Sequence, residues 1–187
     1  RGLHTGNFGQ LGVFSFNGNK IITTGGGGMI STNSEKLAAG LKHITTTAKV
    51  PHVFEFIHDE QGFNYRLPNI NAALGFAQMA RLKGFIKEKR DLADKYRCFF
   101  EATQYKFFIE PSFAKSNYWL NTVRCENKDA RDDLLQLSNK LNVITRPVWH
   151  PMHKLRMYQD CDRDELTVTE NCADTLVNLP SWPCNEI

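Results

Sequence analysis

The sequence predicts an α/β fold, and three features of its hydrophobic pattern support this. Short apolar runs between glycine and asparagine are typical of strands, and a long stretch with apolar residues every three or four positions is typical of a helix. Towards the C-terminus, strand-like and helix-like segments alternate. The 187 residues are 41% hydrophobic and 23% charged, a composition that argues against disorder and allows a folded core.

The first strands are predicted at residues 12–17 ("GVFSFN") and 27–33 ("GGMISTN"), with Lys20 in the connection between them. Ser34 is the predicted N-cap of the helix that follows, because its hydroxyl can accept a hydrogen bond from a free amide of the first turn. The aromatic-rich residues 48–66 are predicted to form a long loop. Loops of that length in compact domains are usually functional.

Residues 69–103 are predicted to form one long helix with a possible bend at Gly84. A small α/β domain is predicted after it, from strand-like "YKFFIE" and "NYWLNTVRC", helical "ARDDLLQLSNKL" and strand-like "NVITRPV". A second loop then leads to a short helix near "TENCADTL" and a last apolar run, "LVNLP".

Charge and cysteine content exclude several function classes. The net charge is +3 and the basic residues are spread along the chain, which gives no support to binding of nucleic acid or of a membrane surface. No apolar run approaches the roughly 20 residues that cross a bilayer. The five cysteines, at positions 98, 125, 161, 172 and 184, have no redox or zinc spacing, which favours reduced thiols in a cytoplasmic protein.

Lys20 has the most informative surroundings, because it lies between an aromatic strand and four consecutive glycines. Burial disfavours the charged form of a lysine, and a neutral amine can condense with an aldehyde. Glycines allow a planar ring to approach the backbone, and the Ser15 hydroxyl can reach a phosphate. Together these features indicate a pyridoxal phosphate site. The alternative is a solvated lysine beside an ordinary glycine turn, which fits many hairpins. The segment is not a P-loop, because no Gly-Lys-Ser/Thr follows.

Three segments carry a resemblance to a known family. Residues 9–32, "GQLGVFSFNGNKIITTGGGGMIST", closely resemble the lysine segment of the pyridoxal-phosphate-dependent nucleotide-sugar aminotransferases, the DegT/StrS family. Residues 62–82, "GFNYRLPNINAALGFAQMARL", resemble its next hallmark. Residues 145–153, "TRPVWHPMH", are similar to a segment of the branch that makes 4-amino sugars of the bacillosamine and legionaminic-acid type, which the spelling "NGNK" also favours.

The resemblance implies the type I fold of pyridoxal-phosphate-dependent transferases, the aspartate aminotransferase kind. Residues 1–66 would form the end of the large cofactor-binding domain, 67–104 a connecting helix, and 105–187 the small C-terminal α/β domain. The abrupt first and last residues also suggest a piece of a longer protein. In the family, an N-terminal half carries the phosphate-binding loop, an aromatic residue that stacks on the ring, and an aspartate for the pyridine nitrogen.

The resemblance also assigns roles around the cofactor. Lys20 matches the Schiff-base lysine, which also moves a proton between substrate and cofactor carbons, and Ser15 matches a hydroxyl on the cofactor phosphate. Asn64 matches an asparagine that reaches the phosphate in the neighbouring subunit, which implies a homodimer with a shared active site. A structural role for Asn64, capping the helix or shaping the turn, stays open. Tyr65 and Arg66 are expected to fix the loop.

Trp149, His150 and His153 are the expected contacts to the sugar nucleotide. A tryptophan face suits a sugar or uracil ring, and imidazoles can hydrogen-bond hydroxyls or pyrophosphate. The two histidines also suggest a metal, but a pair without further ligands is weak evidence, so no metal is predicted.

The implied reaction moves an amino group, from L-glutamate, to C4 of a UDP-4-keto-6-deoxy-N-acetyl-hexosamine for polysaccharide or glycan biosynthesis. Dehydratases of the same superfamily have histidine in place of the lysine, so Lys20 argues against that activity. An alternative from another class is a catalytically silent fragment that serves in folding, dimerisation or binding of a partner.

Overall fold

The computed structural model describes residues 2–182 and divides the chain into two compact units, Arg1–Lys83 and Gly84–Ile187. The boundary between the units falls inside the long helix. The expected division after residues 66 and 104 concerns the domains of the longer family members and stays a prediction. Cys184 lies outside the described residues, whereas Cys98, Cys125, Cys161 and Cys172 are free thiols.

The first unit begins with an antiparallel hairpin of β1 (Gly12–Ser15) and β2 (Gly28–Ser31), in which Gly12 lies opposite Ser31 and Ser15 opposite Gly28. The two predicted strands are confirmed, with shorter ends. The ladder stops at Ser15 because the next residue, Phe16, bonds instead to the backbone of the loop that joins the strands.

Helix α1 (Glu35–Thr45) follows the hairpin. Its N-cap is Ser34, as predicted, because the Ser34 Oγ accepts a hydrogen bond from the Leu37 amide at 3.3 Å. Glu35 in the first turn and His43 in the last turn place acidic and basic side chains at the favourable ends of the helix dipole.

The segment from Lys49 to Tyr65, which we call the aromatic arm, is not the continuous loop that the sequence predicts. It contains a short antiparallel hairpin of β3 (Lys49–Val50) and β4 (Ile57–His58), and a bridge from Thr46 to Asn64 closes its base. Two-residue strands are too short to show an alternating pattern, so the sequence gives no signal for them.

Helix α2 (Asn69–Phe100) has 32 residues and runs past Gly84 without interruption. The predicted long helix is thus confirmed, and it ends three residues early because Thr103 turns back to bond the Phe100 carbonyl. The residue after the unit boundary is Gly84, which has open space where a side chain would lie.

The second unit contains strands and helices in the alternating order that the sequence predicts after the long helix. Its antiparallel sheet has the order β5-β6-β8-β7, formed by β5 (Lys106–Phe107), β6 (Asn121–Arg124), β8 (Leu176–Leu179) and β7 (Arg146–Pro147). Its helices besides the end of α2 are α3 (Lys128–Lys140) and α4 (Thr167–Thr175).

The core of the second unit lies between this sheet and its helices. Val123 and Val177, a cross-strand pair, are fully buried together with Cys125, and Leu179 beside them is 9% exposed. Aromatic and aliphatic side chains of α2, β5 and α3 pack against them: Tyr96, Phe100, Tyr105, Phe107, Ala130, Leu134 and Leu135. Within residues 2–182, no helix combines the length and apolar character that a bilayer span requires.

Candidate active site

Residues 16–27 join β1 to β2 and form what we call the lysine loop. The Phe16 carbonyl accepts hydrogen bonds from the Thr24 amide at 3.0 Å and from the Thr23 hydroxyl at 2.9 Å. The Phe16 amide donates to the Gly27 carbonyl at 3.0 Å. These bonds close the loop at its neck, so the six residues between Phe16 and Thr23 form a separate lobe that contains the lysine.

Lys20, in this lobe, and Ser15, at the end of β1, are both hydrogen-bonded to Asn17. The Lys20 amide donates to the Asn17 carbonyl at 3.0 Å, and the Asn17 amide donates to the Ser15 Oγ at 3.4 Å. Lys20 is partly buried, whereas Ser15 is exposed at the end of β1. Local hydrogen bonds therefore link to one residue, Asn17, the two residues that are predicted to bind the cofactor aldehyde and the cofactor phosphate.

The glycine run is explained largely by backbone geometry. Gly25 and Gly27 have φ angles of 80° and 97°, a region that side-chain-bearing residues avoid. A Cβ on Gly28 would lie 2.6 Å from the Phe14 carbonyl oxygen. Only Gly26 in the run has open space around its missing Cβ. The turn interpretation thus accounts for three of the four glycines, and the proposed clearance for a ring concerns Gly26 alone.

Helix α2 supports the neck of the lysine loop. The Asn71 Nδ2 donates to the Thr24 carbonyl, and the Thr23 amide donates to the Gln78 Oε1 at 2.8 Å. Sequence reasoning missed both helix residues because the helix was recognised from its apolar positions. The available signal was the presence of two carboxamides at a spacing of seven, which places them on one helix face.

A cavity of about 260 Å³ lies beside this contact, between the loop and α2. Its lining is mostly apolar and includes Phe16, Ile22, Leu67, Ala72, Phe76 and Met79. Lys20 is not among the lining residues.

Asn64 shapes the turn before α2. Its Oδ1 accepts a hydrogen bond from the Arg66 Nη1 at 3.0 Å, and the Arg66 Nη2 donates to the Thr46 carbonyl at 2.9 Å. The Tyr65 ring stacks on Phe63 with the centroids 5.2 Å apart. Arg66 and Tyr65 therefore make contacts that order the loop. Asn64 is exposed, and its contact with a second subunit stays a prediction.

In the second unit, the predicted substrate contact Trp149 is 69% exposed. It stacks on Trp119 with ring centroids 6.5 Å apart and planes 25° apart. Trp149 also lines a cavity of about 350 Å³, together with Val148, Pro151, Val168, Thr169, Cys172, Ala173 and Leu176. The stacked partner holds the indole ring in place while leaving it open to a ligand.

The two histidines after Trp149 differ in their surroundings. His150 is exposed, but the His153 side chain is only 13% exposed and its Nε2 lies 2.9 Å from the Glu170 Oε1. This hydrogen bond from His153 lowers the pKa of Glu170 below its usual range. His153 thus fastens the segment after β7 to α4, in addition to any contact with substrate.

The histidines at 150 and 153 do not form a metal cluster with further ligands in the part of the chain that the structure describes. The cluster with suitable ligand geometry within that part comprises His43, Asp59 and Glu60. The His43 Nε2 lies 2.6 Å from the Asp59 Oδ1, and this hydrogen bond lowers the pKa of Asp59. The half-buried His43 and the exposed Asp59 and Glu60 thus link α1 to the aromatic arm.

Comparison with known proteins identifies the family. The model of the DegT/DnrJ/EryC1/StrS aminotransferase family matches residues 1–185. The chain is 37% identical over 186 residues to the "Putative pyridoxal phosphate-dependent aminotransferase EpsN" of Bacillus subtilis (strain 168), covering 97% of this chain and 48% of that protein. It is 35% identical over 184 residues to the GDP-perosamine synthase of Escherichia coli O157:H7, covering 98% of this chain and 50% of the synthase.

The fold agrees with a solved structure of this class. The aminotransferase TlmJ of Streptoalloteichus hindustanus superposes with a TM-score of 0.91 at 24% identity, covering 99% of this chain and 50% of TlmJ. This likeness shows the predicted fold, that of the type I pyridoxal-phosphate-dependent transferases. The chain spans about half the length of the curated relatives it matches. With the family model matched over residues 1–185, the chain belongs to the DegT/DnrJ/EryC1/StrS aminotransferase family.

Proposed function

We propose that this chain is the lysine-bearing part of a pyridoxal-phosphate-dependent aminotransferase that aminates C4 of a 4-keto sugar nucleotide. The observation that carries the proposal is that Lys20 and Ser15 both hydrogen-bond to Asn17, just after β1, in a chain of this family. L-glutamate is the proposed amino donor and a UDP-4-keto-6-deoxy-N-acetyl-hexosamine the proposed acceptor.

The choice of a UDP sugar rests on the branch-specific segments "NGNK" and "TRPVWHPMH". The relative from Escherichia coli is named as a GDP-perosamine synthase, so the identity of the nucleotide is tested directly below.

The residues of the lysine loop fit the proposed cofactor. Lys20 supplies an amine for its aldehyde, the exposed Ser15 hydroxyl supplies a donor for its phosphate, and Gly26 leaves open space beside the backbone. When bound, pyridoxal phosphate supplies an electron sink that stabilises negative charge on the substrate carbon next to nitrogen.

Lys20 has two tasks in this proposal. Its Nζ would hold the cofactor through the aldehyde, and when it is not bonded to the cofactor it would accept a proton from the substrate carbon and return one. Both tasks require the amine in its neutral form.

Trp149 is proposed to bind the sugar or the base through its open face, and His150 to bind hydroxyl or pyrophosphate oxygens. The His153 Nε2 is engaged with Glu170, so His153 would contact the substrate through its Nδ1. In this arrangement Glu170 orients the imidazole.

The proposed partner is a second copy of the chain, bound through the aromatic arm. Val53, Phe54 and Phe56 are 93%, 78% and 81% exposed. Exposed apolar side chains in such a cluster mark an interaction surface. Asn64 lies at the base of the same arm, which supports the proposal that it reaches the cofactor of the neighbouring subunit.

Covalent trapping tests the proposal. The protein as its gene encodes it is incubated with pyridoxal phosphate, reduced with borohydride, digested and mapped by mass spectrometry. We expect the label on Lys20, its loss in Lys20→Ala, and its retention in Lys36→Ala, which removes an exposed lysine of α1. Equal cofactor binding and labelling in Lys20→Ala would overturn the proposal.

Two further experiments test the amino donor, the nucleotide and the isolated chain. Isotope-labelled L-glutamate is supplied with either a UDP- or a GDP-linked 4-keto sugar, and transfer of the label to C4 identifies the donor and the nucleotide. The chain of 187 residues is trapped in parallel. If the gene product is labelled and the isolated chain is not, the isolated chain is the silent folding, dimerisation or binding fragment.

A further inference from the structure

We infer that Gln78 and Asn71 are positioning residues that hold the lysine loop by its neck, so that helix α2 sets the location of Lys20. The consequence for catalysis rests on the proposed function, whereas the hold of the helix on the loop does not. The inference assigns a role to two carboxamides that face the loop rather than the substrate.

The first step is the geometry of the helix face. Asn71, Gly75 and Gln78 are spaced by four and three residues, which places them in one row along α2. The row begins with the Asn71 Nδ2, which donates to the Thr24 carbonyl, and ends with the Gln78 Oε1, which accepts from the Thr23 amide at 2.8 Å. One helix face therefore binds the backbone of two consecutive loop residues.

Gly75, between the two carboxamides, lets the loop approach the helix closely. A Cβ at Gly75 would lie 2.7 Å from the Thr24 Cγ2, a distance that real Cβ atoms do not tolerate. Thr24 itself is 3% exposed, so its backbone groups have little access to water. Because a buried backbone group without a hydrogen-bond partner is unfavourable, the bond from Asn71 to the buried Thr24 stabilises the loop, and the Gln78 bond does the same for the half-buried Thr23 amide.

Hydrogen bonds within the neck and a short stretch of chain connect the helix contacts to Lys20. Thr23 and Thr24 both bind the Phe16 carbonyl, and the Thr23 Oγ1 also accepts from the Gly25 amide at 2.8 Å. Two residues separate Thr23 from Lys20, so a shift in the position of the neck also shifts the position of Lys20. A misplacement of about 1 Å can cost roughly a hundredfold in rate when an amine must meet a reacting carbon.

Two variants of Gln78 distinguish the loss of its hydrogen bond from a change in the size of its side chain. Gln78→Met keeps a side chain of similar length and removes the acceptor, whereas Gln78→Glu keeps an acceptor for the Thr23 amide. Gln136→Met makes the same change at an exposed position of α3 in the other unit and serves as the matched control.

The first measurement is amide hydrogen exchange of the cofactor-free gene product. We expect peptides that contain Thr23 to exchange about tenfold faster in Gln78→Met, the loss that follows from one missing hydrogen bond, and within about twofold of wild type in Gln78→Glu and Gln136→Met. Unchanged protection of Thr23 in Gln78→Met would overturn the hold of the helix on the loop.

The second measurement uses the protein loaded with pyridoxal phosphate. We expect Gln78→Met to lower kcat by about ten- to a hundredfold with the KM for the sugar nucleotide within about twofold, and to shift the pH titration of cofactor absorbance. Gln78→Glu should restore most of both. Wild-type kcat and titration in Gln78→Met would overturn the positioning role.

The outcomes distinguish the inference from the proposed function. If wild type itself fails to bind the cofactor, the proposed function fails, while hydrogen exchange still decides whether α2 holds the loop. If melting curves show Gln78→Met to be unfolded, Asn71→Ser is used in its place. The shortened side chain cannot reach the Thr24 carbonyl, and the same results support or overturn the inference.

Discussion

At the scale of the residue, Trp149 combines a fixed ring with an open face. Its stacking on Trp119 restricts the indole, and 69% of the residue remains exposed. Aromatic rings held in this way lose little entropy when a ligand binds. His153 is less available to a ligand than Trp149, because its Nε2 already forms a hydrogen bond with Glu170.

Replacement of Trp149 tests its proposed contact with the substrate. We expect Trp149→Ala to raise the KM for the sugar nucleotide roughly two- to tenfold, because a stacking contact contributes about 0.5–1.5 kcal/mol, while the half-reaction with L-glutamate keeps its rate. Trp149→Phe should recover most of the affinity. A KM unchanged in Trp149→Ala would exclude the contact, and steady-state kinetics with each substrate in turn provide the measurement.

The residues of the site also show how far prediction from sequence reaches. Lys20 and Ser15 are predicted as site residues because the run of strand, lysine and glycines is local and unusual, and their roles at the cofactor stay predictions. Gln78 was missed, because its partner Thr23 is 55 residues away and a glutamine on a helix has no distinctive pattern of its own. The ion pair of His153 with Glu170, 17 residues apart, was missed for the same reason.

At the scale of the element, α2 is fastened to the segment after β5 by an ion pair. The Arg90 guanidinium donates to both Glu110 oxygens at 2.6 and 2.9 Å and to the Ser116 carbonyl at 2.6 Å. The hydrogen bonds from Arg90, and then that from the Ser116 amide, lower the pKa of Glu110 from 4.5 to about 2. A bidentate ion pair whose side chains have limited exposure to solvent stabilises the folded protein more than an ordinary surface ion pair does.

Replacement of Glu110 should therefore have an effect that depends on pH. A carboxylate with a depressed pKa contributes its stabilisation fully above 4.5, its value when unfolded, and loses it as the pH falls towards about 2. We expect Glu110→Gln to destabilise the protein by roughly 1–2 kcal/mol at pH 7, with the difference from wild type shrinking between these two pH values.

Thermal unfolding at a series of pH values measures this difference. Glu101→Gln removes a partner of Arg97 on the exposed face of the same helix, and it should leave the melting temperature nearly unchanged. A difference between Glu110→Gln and wild type that stays constant from pH 7 to the acid end would contradict the account of the ion pair.

At the scale of the whole molecule, the two units differ in how they are stabilised. The second unit has a core around Val123 and Val177. In the first unit, the aromatic arm leaves large apolar side chains in contact with solvent, and β1 and β2 form a sheet of only two strands. Two-stranded sheets are marginal on their own. The first unit therefore depends on further contacts for part of its stability.

The aromatic arm is the surface where we expect a second copy to bind. The double replacement of Phe54 and Phe56 by serine should shift the gene product from dimer to monomer in sedimentation experiments. The substitutions remove two exposed rings, and with them the apolar area that association would bury. Phe113→Ser changes an equally exposed ring in the second unit and should leave the assembly intact. A double variant that remains dimeric would show that the arm is not the interface.

The sequence by itself determined the local elements and the family: the Ser34 cap, the two strands around Lys20, the long helix and the motifs that match the aminotransferases. Caps, turns and hydrophobic periods are encoded within a few neighbouring residues, so they can be recognised in the sequence without knowledge of the fold. Only the tertiary structure decided that β8 lies between β6 and β7 and that Gln78 meets Thr23. Such contacts join residues far apart in the chain, and the packing of whole elements selects them.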